Sequence, residues 1–149
     1  MPASSRILAI DPGSTESAWL LMDGLGPLRF GIDPNEKLLD DLRHGPFPYP
    51  DVVAIERVES FGMPVGAEVF ETVRWAGRFE EACYPTRVVL VTRQAVKLAL
   101  CHDTRAKDPN IRRALLDGFG GDGAKGTKAH PGPLYGVSRD VRTPPHRTR

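Results

Sequence analysis

The stretch Arg6–Thr15 (RILAIDPGST) contains an apolar run that ends in the carboxylate Asp11 and is followed at once by Pro and Gly. A short apolar run bounded by turn residues predicts a buried β-strand, here one that ends at Asp11. A second run of the same kind, Asp51–Glu56 (DVVAIE), also ends in a carboxylate. The fold and the candidate site therefore both depend on how these two strands are arranged.

The other elements follow from hydrophobic periodicity and turn residues. The expected elements, in chain order, are strands over Arg6–Ile10, Ala18–Met22 and Leu28–Ile32, a helix over Asn35–His44, a strand over Asp51–Ile55, a helix over Val65–Tyr84, a strand over Arg87–Val91, and helices over Arg93–Leu100 and from Asp108 onward. This order predicts an α/β fold with a mixed five-stranded sheet flanked by helices. The long helix is expected to pack through a stripe formed by Val65, Val69, Val73 and Ala76. The Gly-rich residues 118–136 are expected to end the ordered pattern.

Two strands that end in carboxylates predict a charged site at one edge of the sheet. If the strands are neighbours, Asp11 and Glu56 lie side by side where open α/β sheets place their sites. Two adjacent carboxylates repel each other unless a cation lies between them. The pair therefore predicts ligands for a divalent metal ion. The alternative is that each acid only marks the point where a strand reaches the surface.

Length and composition favour one globular domain. The chain has 149 residues, of which 40% are hydrophobic and 26% are charged. No apolar segment is long enough to cross a bilayer, and the start of the chain lacks the apolar core of a secretory signal, so we expect a cytoplasmic protein without a membrane partner. Cys83 and Cys101 belong to no Cys-x-x-Cys pair, so we expect two reduced cysteines.

Charge is unevenly distributed along the chain. Residues 1–84 carry 7 Lys and Arg against 14 Asp and Glu, a net charge of −7, whereas residues 85–149 carry 13 against 5, a net charge of +8. A basic half joined to an acidic half suggests a phosphate-facing surface. The alternative is that the basic residues only solvate helix faces.

Several segments together resemble a known family. The segments ILAIDPGSTESAWLLMDG and VVAIERVESFGMPVG are similar to the RuvC-type Holliday junction resolvases, and above all to their phage-encoded relatives, within the RNase H-like nuclease superfamily. The segments VFETVRWAGRFEEA, VTRQAVKLAL, KDPNIRRALLDGFG and GTKAHPGPLYGVS follow in the order of that family. The resemblance covers residues 6–140.

The resemblance implies a homodimeric endonuclease that hydrolyses phosphodiester bonds in four-way or other branched DNA. It assigns Asp11, Glu56 and Asp140 as catalytic ligands of Mg²⁺ or Mn²⁺, with two ions bound. It implies an RNase H-like nuclease domain over residues 1–140, and we expect residues 141–149 to form a basic, disordered tail. The expected location is the cytoplasm of a bacterium or of a phage-infected host cell.

The resemblance also assigns residues to the DNA. Lys97 and Lys107 fall where the family has basic residues near the cleaved backbone, and we assign Lys107 a catalytic role as well. Further phosphate contacts are expected from Arg93, Arg105, Arg112 and Arg113. The alternative for these cations is ordinary surface solvation.

The loop after the fourth strand holds two apolar side chains. Phe61 and Met63 could wedge into an opened base step. The alternative is that they pack against the next helix. We expect Glu59, three residues beyond Glu56, to be solvated or to act through another residue, since an offset of three places it on the opposite face of an extended chain.

Two other functions are left open by the sequence. The first is a catalytically weak or inactive module that binds branched DNA, because the end VRTPPHRTR lacks the apolar helix that the family carries after its last acid, and Pro144 and Pro145 do not continue a helix. The second is an actin-like or sugar-kinase-type ATP-binding fragment, because IDPGST is similar to the first phosphate loop of those enzymes.

Overall fold

The structure is a computed structural model that describes residues 5–24, 26–45, 47 and 50–135. The chain divides after Thr92 into two compact units. The first unit contains a β-sheet with two helices, and the second contains the helices that follow. The expected nuclease domain over residues 1–140 and the tail over residues 141–149 extend past the described part, so both assignments stay predictions.

Five strands form one sheet in the first unit. They are β1 (Arg6–Asp11), β2 (Glu16–Asp23), β3 (Gly26–Pro34), β4 (Val52–Arg57) and β5 (Arg87–Thr92), in the spatial order β3-β2-β1-β4-β5. β1, β2 and β3 form an antiparallel meander, and β4 pairs in parallel with both β1 and β5. Parallel neighbours need crossover connections, and the helices α1 (Asn35–His44) and α2 (Ala67–Ala82) supply them. The predicted mixed five-stranded sheet is confirmed.

One face of the sheet carries the hydrophobic core. Buried positions alternate along the central strands, with Leu8 and Ile10 of β1 at 1% and 2% exposure and Val53 and Ile55 of β4 at 1% and 0%. Successive side chains of a strand point to opposite faces. The core face therefore holds every second residue, and Asp11, which follows Ile10, points to the other face. Both helices contribute to this core, through Leu38 and Leu39 of α1 and through Trp75 and Phe79 of α2.

The buried face of α2 differs from the predicted valine stripe. The helix begins at Ala67, so Val65 precedes it, and Val73 is 48% exposed. The residues that α2 buries are Trp75 and Phe79, one helical turn apart. Two large aromatic side chains bury more apolar area than valines do. Because Val73 lies two residues before Trp75, the orientation that buries Trp75 turns Val73 toward solvent.

The second unit contains α3 (Arg93–Cys101), α4 (Asp108–Gly118) and a short 3-10 helix over Gly121–Ala124. The Gly-rich stretch is expected to end the ordered pattern, but the structure is ordered there up to residue 135, so this expectation is wrong for that part. Ala124 is 1% exposed, and its carbonyl oxygen accepts a hydrogen bond of 2.9 Å from the backbone N–H of Leu134. Gly126 allows the close return of the chain, because a Cβ there would lie 2.2 Å from the Gly132 nitrogen.

Within the described residues, no helix is both long enough and apolar enough to cross a membrane.

Candidate functional site

The two predicted carboxylates meet at the carboxyl ends of two adjacent parallel strands. The last paired residues of β1 and β4 are Ile10 and Ile55, and Asp11 and Glu56 come next on the two strands. Neighbouring strands lie about 4.8 Å apart, and residues at the same level point to the same face. Because Ile10 and Ile55 are buried on the core face, Asp11 and Glu56 both project from the opposite face. The structure thus brings these two predicted site residues together.

The neighbours of this carboxylate pair across the sheet are apolar. Asp11 pairs with Ala18 of β2, and Glu56 pairs with Val91 of β5. The row across the four strands therefore contains two acids and no basic residue. Asp11 is exposed and Glu56 is half-buried. Glu56 also has a further interaction partner, and a divalent ion bound between two carboxylates held side by side would balance both charges.

The donor set of the pair suits a hard divalent ion. Mg²⁺ is typically bound through one or two carboxylates and keeps several water ligands. No group of three or more His, Cys, Asp or Glu side chains able to hold a metal occurs in the described part of the chain. The predicted third ligand, Asp140, lies outside the described residues. Asp11 and Glu56 are therefore the metal-ligand candidates that the structure places.

The turn that follows Asp11 is held by buried side chains. Ser17 Oγ accepts a hydrogen bond of 3.0 Å from the Gly13 N–H and donates one of 2.6 Å to Asn35 Oδ1. Asn35 Nδ2 donates a hydrogen bond of 2.9 Å to the Gly13 carbonyl oxygen. A Cβ on residue 13 would lie 2.1 Å from the Glu16 carbonyl oxygen, so only glycine fits there. The Asp-Pro-Gly turn is thus joined to the start of α1.

This hydrogen bonding argues against the phosphate-loop alternative. A turn that cradles nucleotide phosphates presents its backbone N–H groups to the phosphate oxygens. The Gly13 N–H is instead bonded to Ser17 Oγ. The ATP-binding alternative therefore receives no support from the geometry of this turn.

The structure divides the predicted DNA-contacting cations into two groups. Arg93 of α3 bonds to Asp108, Arg105 lies 3.7 Å from Asp103, and Arg113 of α4 bonds to two carboxylates. The partners of Arg113 are Asp117 at 2.6 Å and Asp122 at 2.7 Å. Three of the predicted arginines therefore form ion pairs with carboxylates of the second unit. Arg112 lies on α4 and also has an interaction partner.

Lys97 and Lys107 form the other group. Lys97 lies on α3, one helical turn after Arg93, and Lys107 immediately precedes α4. Within the described residues neither ammonium group takes part in an ion pair. The same holds for Lys125 and Lys128, which sequence reasoning did not single out. An unpaired ammonium is available to a phosphate group, so the lysines are better placed for this role than the paired arginines.

The loop between β4 and α2 exposes its apolar side chains. Phe61 is 66% exposed and Met63 is 74% exposed. The alternative that they pack against the next helix is therefore wrong. Glu59 lies 3.8 Å from Arg57, so its carboxylate is directed to a neighbouring cation. The assignment of Phe61 to DNA contact stays a prediction.

Sequence reasoning missed Ser17 and Asn35. These are the buried polar residues of the described chain, at 2% and 1% exposure. From the sequence, Asn35 is expected only to begin a helix, and its side chain is assigned no role. It does begin α1, but its side chain bonds to the turn after Asp11 and not to its own helix. An Asn side chain at the start of a helix is able to bond to backbone groups, but nothing in the local sequence identifies Gly13 or Ser17 as its partners.

The fold is similar to that of two solved structures. Thermus thermophilus RuvC in complex with a Holliday junction substrate superposes with a TM-score of 0.58 and 20% identity, over 76% of this chain and 79% of the other. A second Thermus thermophilus RuvC structure gives a TM-score of 0.55 and 21% identity, over 75% and 80%. No protein-family profile and no curated protein sequence matches this chain. The likeness establishes the fold, and the chain has the RuvC-like, RNase H-like α/β fold that its sequence predicts.

Proposed function

We propose that this protein is a metal-dependent endonuclease that cuts Holliday junctions or other branched DNA. The single observation that carries the proposal is the placement of Asp11 and Glu56 at one level of adjacent parallel strands. The similarity of the fold to a RuvC bound to a Holliday junction substrate supports the choice of DNA.

The metal centre is assigned to the carboxylates. Asp11 and Glu56 would hold Mg²⁺ or Mn²⁺, with two ions as the proposed number, and Asp140 is proposed as the third ligand. When bound, such ions would activate a water molecule and stabilise the leaving oxygen of the cleaved phosphodiester bond. The rigid strands keep the two carboxylates in place before any ion binds, which lowers the cost of forming the site.

The second unit is proposed to hold the DNA backbone. Lys97 and Lys107 are the main phosphate contacts in this proposal, and Lys107 also offsets charge near the cleaved bond. A lesser role is assigned to Arg93, Arg105, Arg112 and Arg113. The side chains of Arg93 and Arg113 bond to carboxylates, and that of Arg105 lies 3.7 Å from Asp103. Phosphate contacts of this kind position the protein on branched DNA without reading its sequence.

We also propose a homodimer. A four-way junction with two-fold symmetry is matched by a dimer that presents two equivalent sites. Phe70 and Val73 of α2 lie on one side of that helix and are 65% and 48% exposed. We assign them to the contact with the second copy. Sedimentation should give a dimer for the unchanged protein and a monomer for Phe70→Asp. The control variant Glu71→Gln should remain dimeric. A monomeric unchanged protein would contradict this assignment.

The function is tested with a labelled four-way junction and a linear duplex of the same arm sequence. Binding is measured in EDTA, and cleavage is measured with Mg²⁺, with Mn²⁺ and with no metal. We expect preferential binding of the junction and metal-dependent cleavage near its centre. Binding of the junction without cleavage in either metal would favour the inactive DNA-binding module. Equal binding of both DNAs, with no cleavage, would reject the proposed function.

A further inference from the structure

Ser17 and Asn35 form a closed hydrogen-bond network with the turn after Asp11. The Gly13 N–H donates to Ser17 Oγ, the Ser17 hydroxyl donates to Asn35 Oδ1, and Asn35 Nδ2 donates back to the Gly13 carbonyl oxygen. The Asn35 backbone N–H adds a fourth bond of 3.0 Å to the Thr15 carbonyl oxygen. Both polar groups of the Gly13 backbone are therefore held by side chains from other elements.

The network has one consistent arrangement of donors and acceptors. The Ser17 hydroxyl has a single proton, which goes to Asn35 Oδ1 because the Gly13 N–H already approaches the Ser17 oxygen as a donor. Rotating the Asn35 amide would place its oxygen against the Gly13 carbonyl oxygen, and two acceptors do not bond. The geometry of the turn is thus specified by the identity of both side chains.

Burial makes this arrangement costly to disturb. Ser17 and Asn35 are 2% and 1% exposed, and no buried side-chain polar atom of the described residues lacks a hydrogen-bond partner. Removing one member leaves the remaining polar groups unsatisfied away from water, which is more costly than the hydrogen bond itself. A conformation of the turn that breaks these bonds without replacing them is therefore less stable.

The turn is connected directly to Asp11. Only the buried Pro12, whose φ is restricted by its ring, separates Asp11 from Gly13. On its other side Asp11 is held by the ladder of β1. Movement of the Gly13 peptide is therefore transmitted through Pro12 to the Asp11 backbone and from there to its carboxylate.

We propose that Ser17 and Asn35 are positioning residues that hold the Asp11 carboxylate in the orientation needed to bind a divalent ion. This proposal rests on the proposed function, since it concerns the same metal site. The two side chains do not contact the ion; they act through the Gly13 peptide. A ligand displaced by about 1 Å costs on the order of a hundredfold in rate, so a shift of this turn has a large effect on chemistry.

The test compares Ser17→Ala, Asn35→Ala and the double variant with the unchanged protein. Mn²⁺ affinity is measured by electron paramagnetic resonance without DNA, junction binding is measured in EDTA, and cleavage is measured in Mg²⁺ and Mn²⁺. Leu38→Val is the matched control, because it removes core volume from α1 without touching the turn. Thermal unfolding of each variant shows how much stability is lost, and all assays are run well below the unfolding midpoint.

The single variants should bind Mn²⁺ at least about tenfold more weakly and cleave in Mg²⁺ about a hundredfold more slowly, with partial recovery in Mn²⁺, whose coordination demands are looser. Junction binding should change by less than about twofold, because phosphate contacts dominate it. The double variant should lose about as much Mn²⁺ affinity and cleavage rate as each single variant, since the effects of mutating residues that act as one unit are not additive. Leu38→Val should keep the Mn²⁺ affinity of the unchanged protein.

A second pair of variants separates the hydroxyl group from side-chain volume. Ser17→Thr keeps the hydroxyl and should keep Mn²⁺ binding. Ser17→Val introduces a side chain of nearly the same shape as Thr but without the hydroxyl, so this variant should lose Mn²⁺ binding. Equal Mn²⁺ affinity in Ser17→Val, Ser17→Thr and the unchanged protein would overturn the proposal. So would equal losses in Ser17→Ala and Leu38→Val at matched stability.

The failure of the inference is distinguishable from the failure of the proposed function. If the unchanged protein binds Mn²⁺ and Asp11→Asn abolishes this binding, the metal site stands, and a normal Ser17→Ala variant then rejects only the positioning role. If the unchanged protein binds no Mn²⁺ that depends on Asp11, the proposed metal centre itself is rejected.

Discussion

Asp11 and Glu56 occupy the same level of two adjacent parallel strands, one residue beyond the paired and buried Ile10 and Ile55. The pairing of β1 with β4 is what converts two carboxylates that are 45 positions apart in the chain into neighbours. Their side chains share the face opposite the hydrophobic core. The metal-binding role proposed for this pair leads to a direct prediction.

Neutralising either carboxylate should abolish cleavage and preserve DNA binding. Asp11→Asn and Glu56→Gln keep side-chain size but remove the negative charge to which the proposed function assigns metal binding. We expect cleavage of a four-way junction to fall by at least about three orders of magnitude, as expected when an essential catalytic group is lost, and junction affinity in EDTA to stay equal or rise slightly. Glu59→Gln is the control, because Glu59 faces Arg57. Normal cleavage by either of the first two variants would contradict the metal assignment.

Removing Lys97 or Lys107 should make DNA binding less dependent on salt. Each phosphate contact adds about one unit to the slope of log affinity against log salt concentration, so Lys97→Ala and Lys107→Ala should each reduce that slope by about one. Lys37→Ala serves as control, since Lys37 bonds to Asp41 at 2.7 Å. Titrations of junction DNA at several salt concentrations measure the slopes. Unchanged slopes in both variants would show that these lysines are solvated surface residues that do not contact phosphate.

Phe61 is expected to contact an unstacked base at the junction. Stacking of a base on an aromatic ring contributes about 1–3 kcal/mol, and Phe61 is 66% exposed and thus available. Phe61→Ala should lower the fluorescence change of 2-aminopurine placed at the junction centre and should slow cleavage, while Met63→Ala should have a smaller effect. If Phe61→Ala matches the unchanged protein in both measurements, the wedge assignment is wrong.

Phe79 should be among the residues that contribute most to stability. It lies at 0% exposure between α2 and the sheet. Phe79→Ala should lower the free energy of unfolding by about 3–5 kcal/mol through lost burial and a residual cavity. Phe61→Ala removes a phenylalanine side chain from an exposed loop and should change the free energy of unfolding by less than about 0.5 kcal/mol. Urea unfolding followed by circular dichroism measures both, and similar losses in the two variants would contradict the described core.

The Cys83 thiol should make the protein less stable at alkaline pH. Burial, with a smaller effect of Glu80, raises the pKa of Cys83 to about 11 from 9.0. Between these values the unfolded chain loses the proton and the folded chain keeps it, so stability is fully present below pH 9.0 and falls as the pH rises toward 11. Urea unfolding at several pH values should show this decline, and Cys83→Ala should make it shallower. Thiol reagents should also modify Cys83 slowly at pH 8, because the thiolate is scarce.

Local patterns in the sequence determined the elements and the carboxylate ends of the strands. The apolar runs before Asp11 and Glu56 predict their strands because alternation and turn residues act over a few positions. The helix Asn35–His44 was predicted with its observed bounds for the same reason. These features depend on neighbouring residues, so a single sequence is enough to read them.

The tertiary structure decided which elements meet and which side chains they bury. The parallel pairing of β1 with β4, the burial of Trp75 in place of Val73, and the exposure of Phe61 all depend on contacts between distant residues. The bond between Ser17 and Asn35 spans 18 positions and forms because buried polar groups must find partners. No local period encodes such a partner, so the device that holds the turn after Asp11 became visible only in the folded chain.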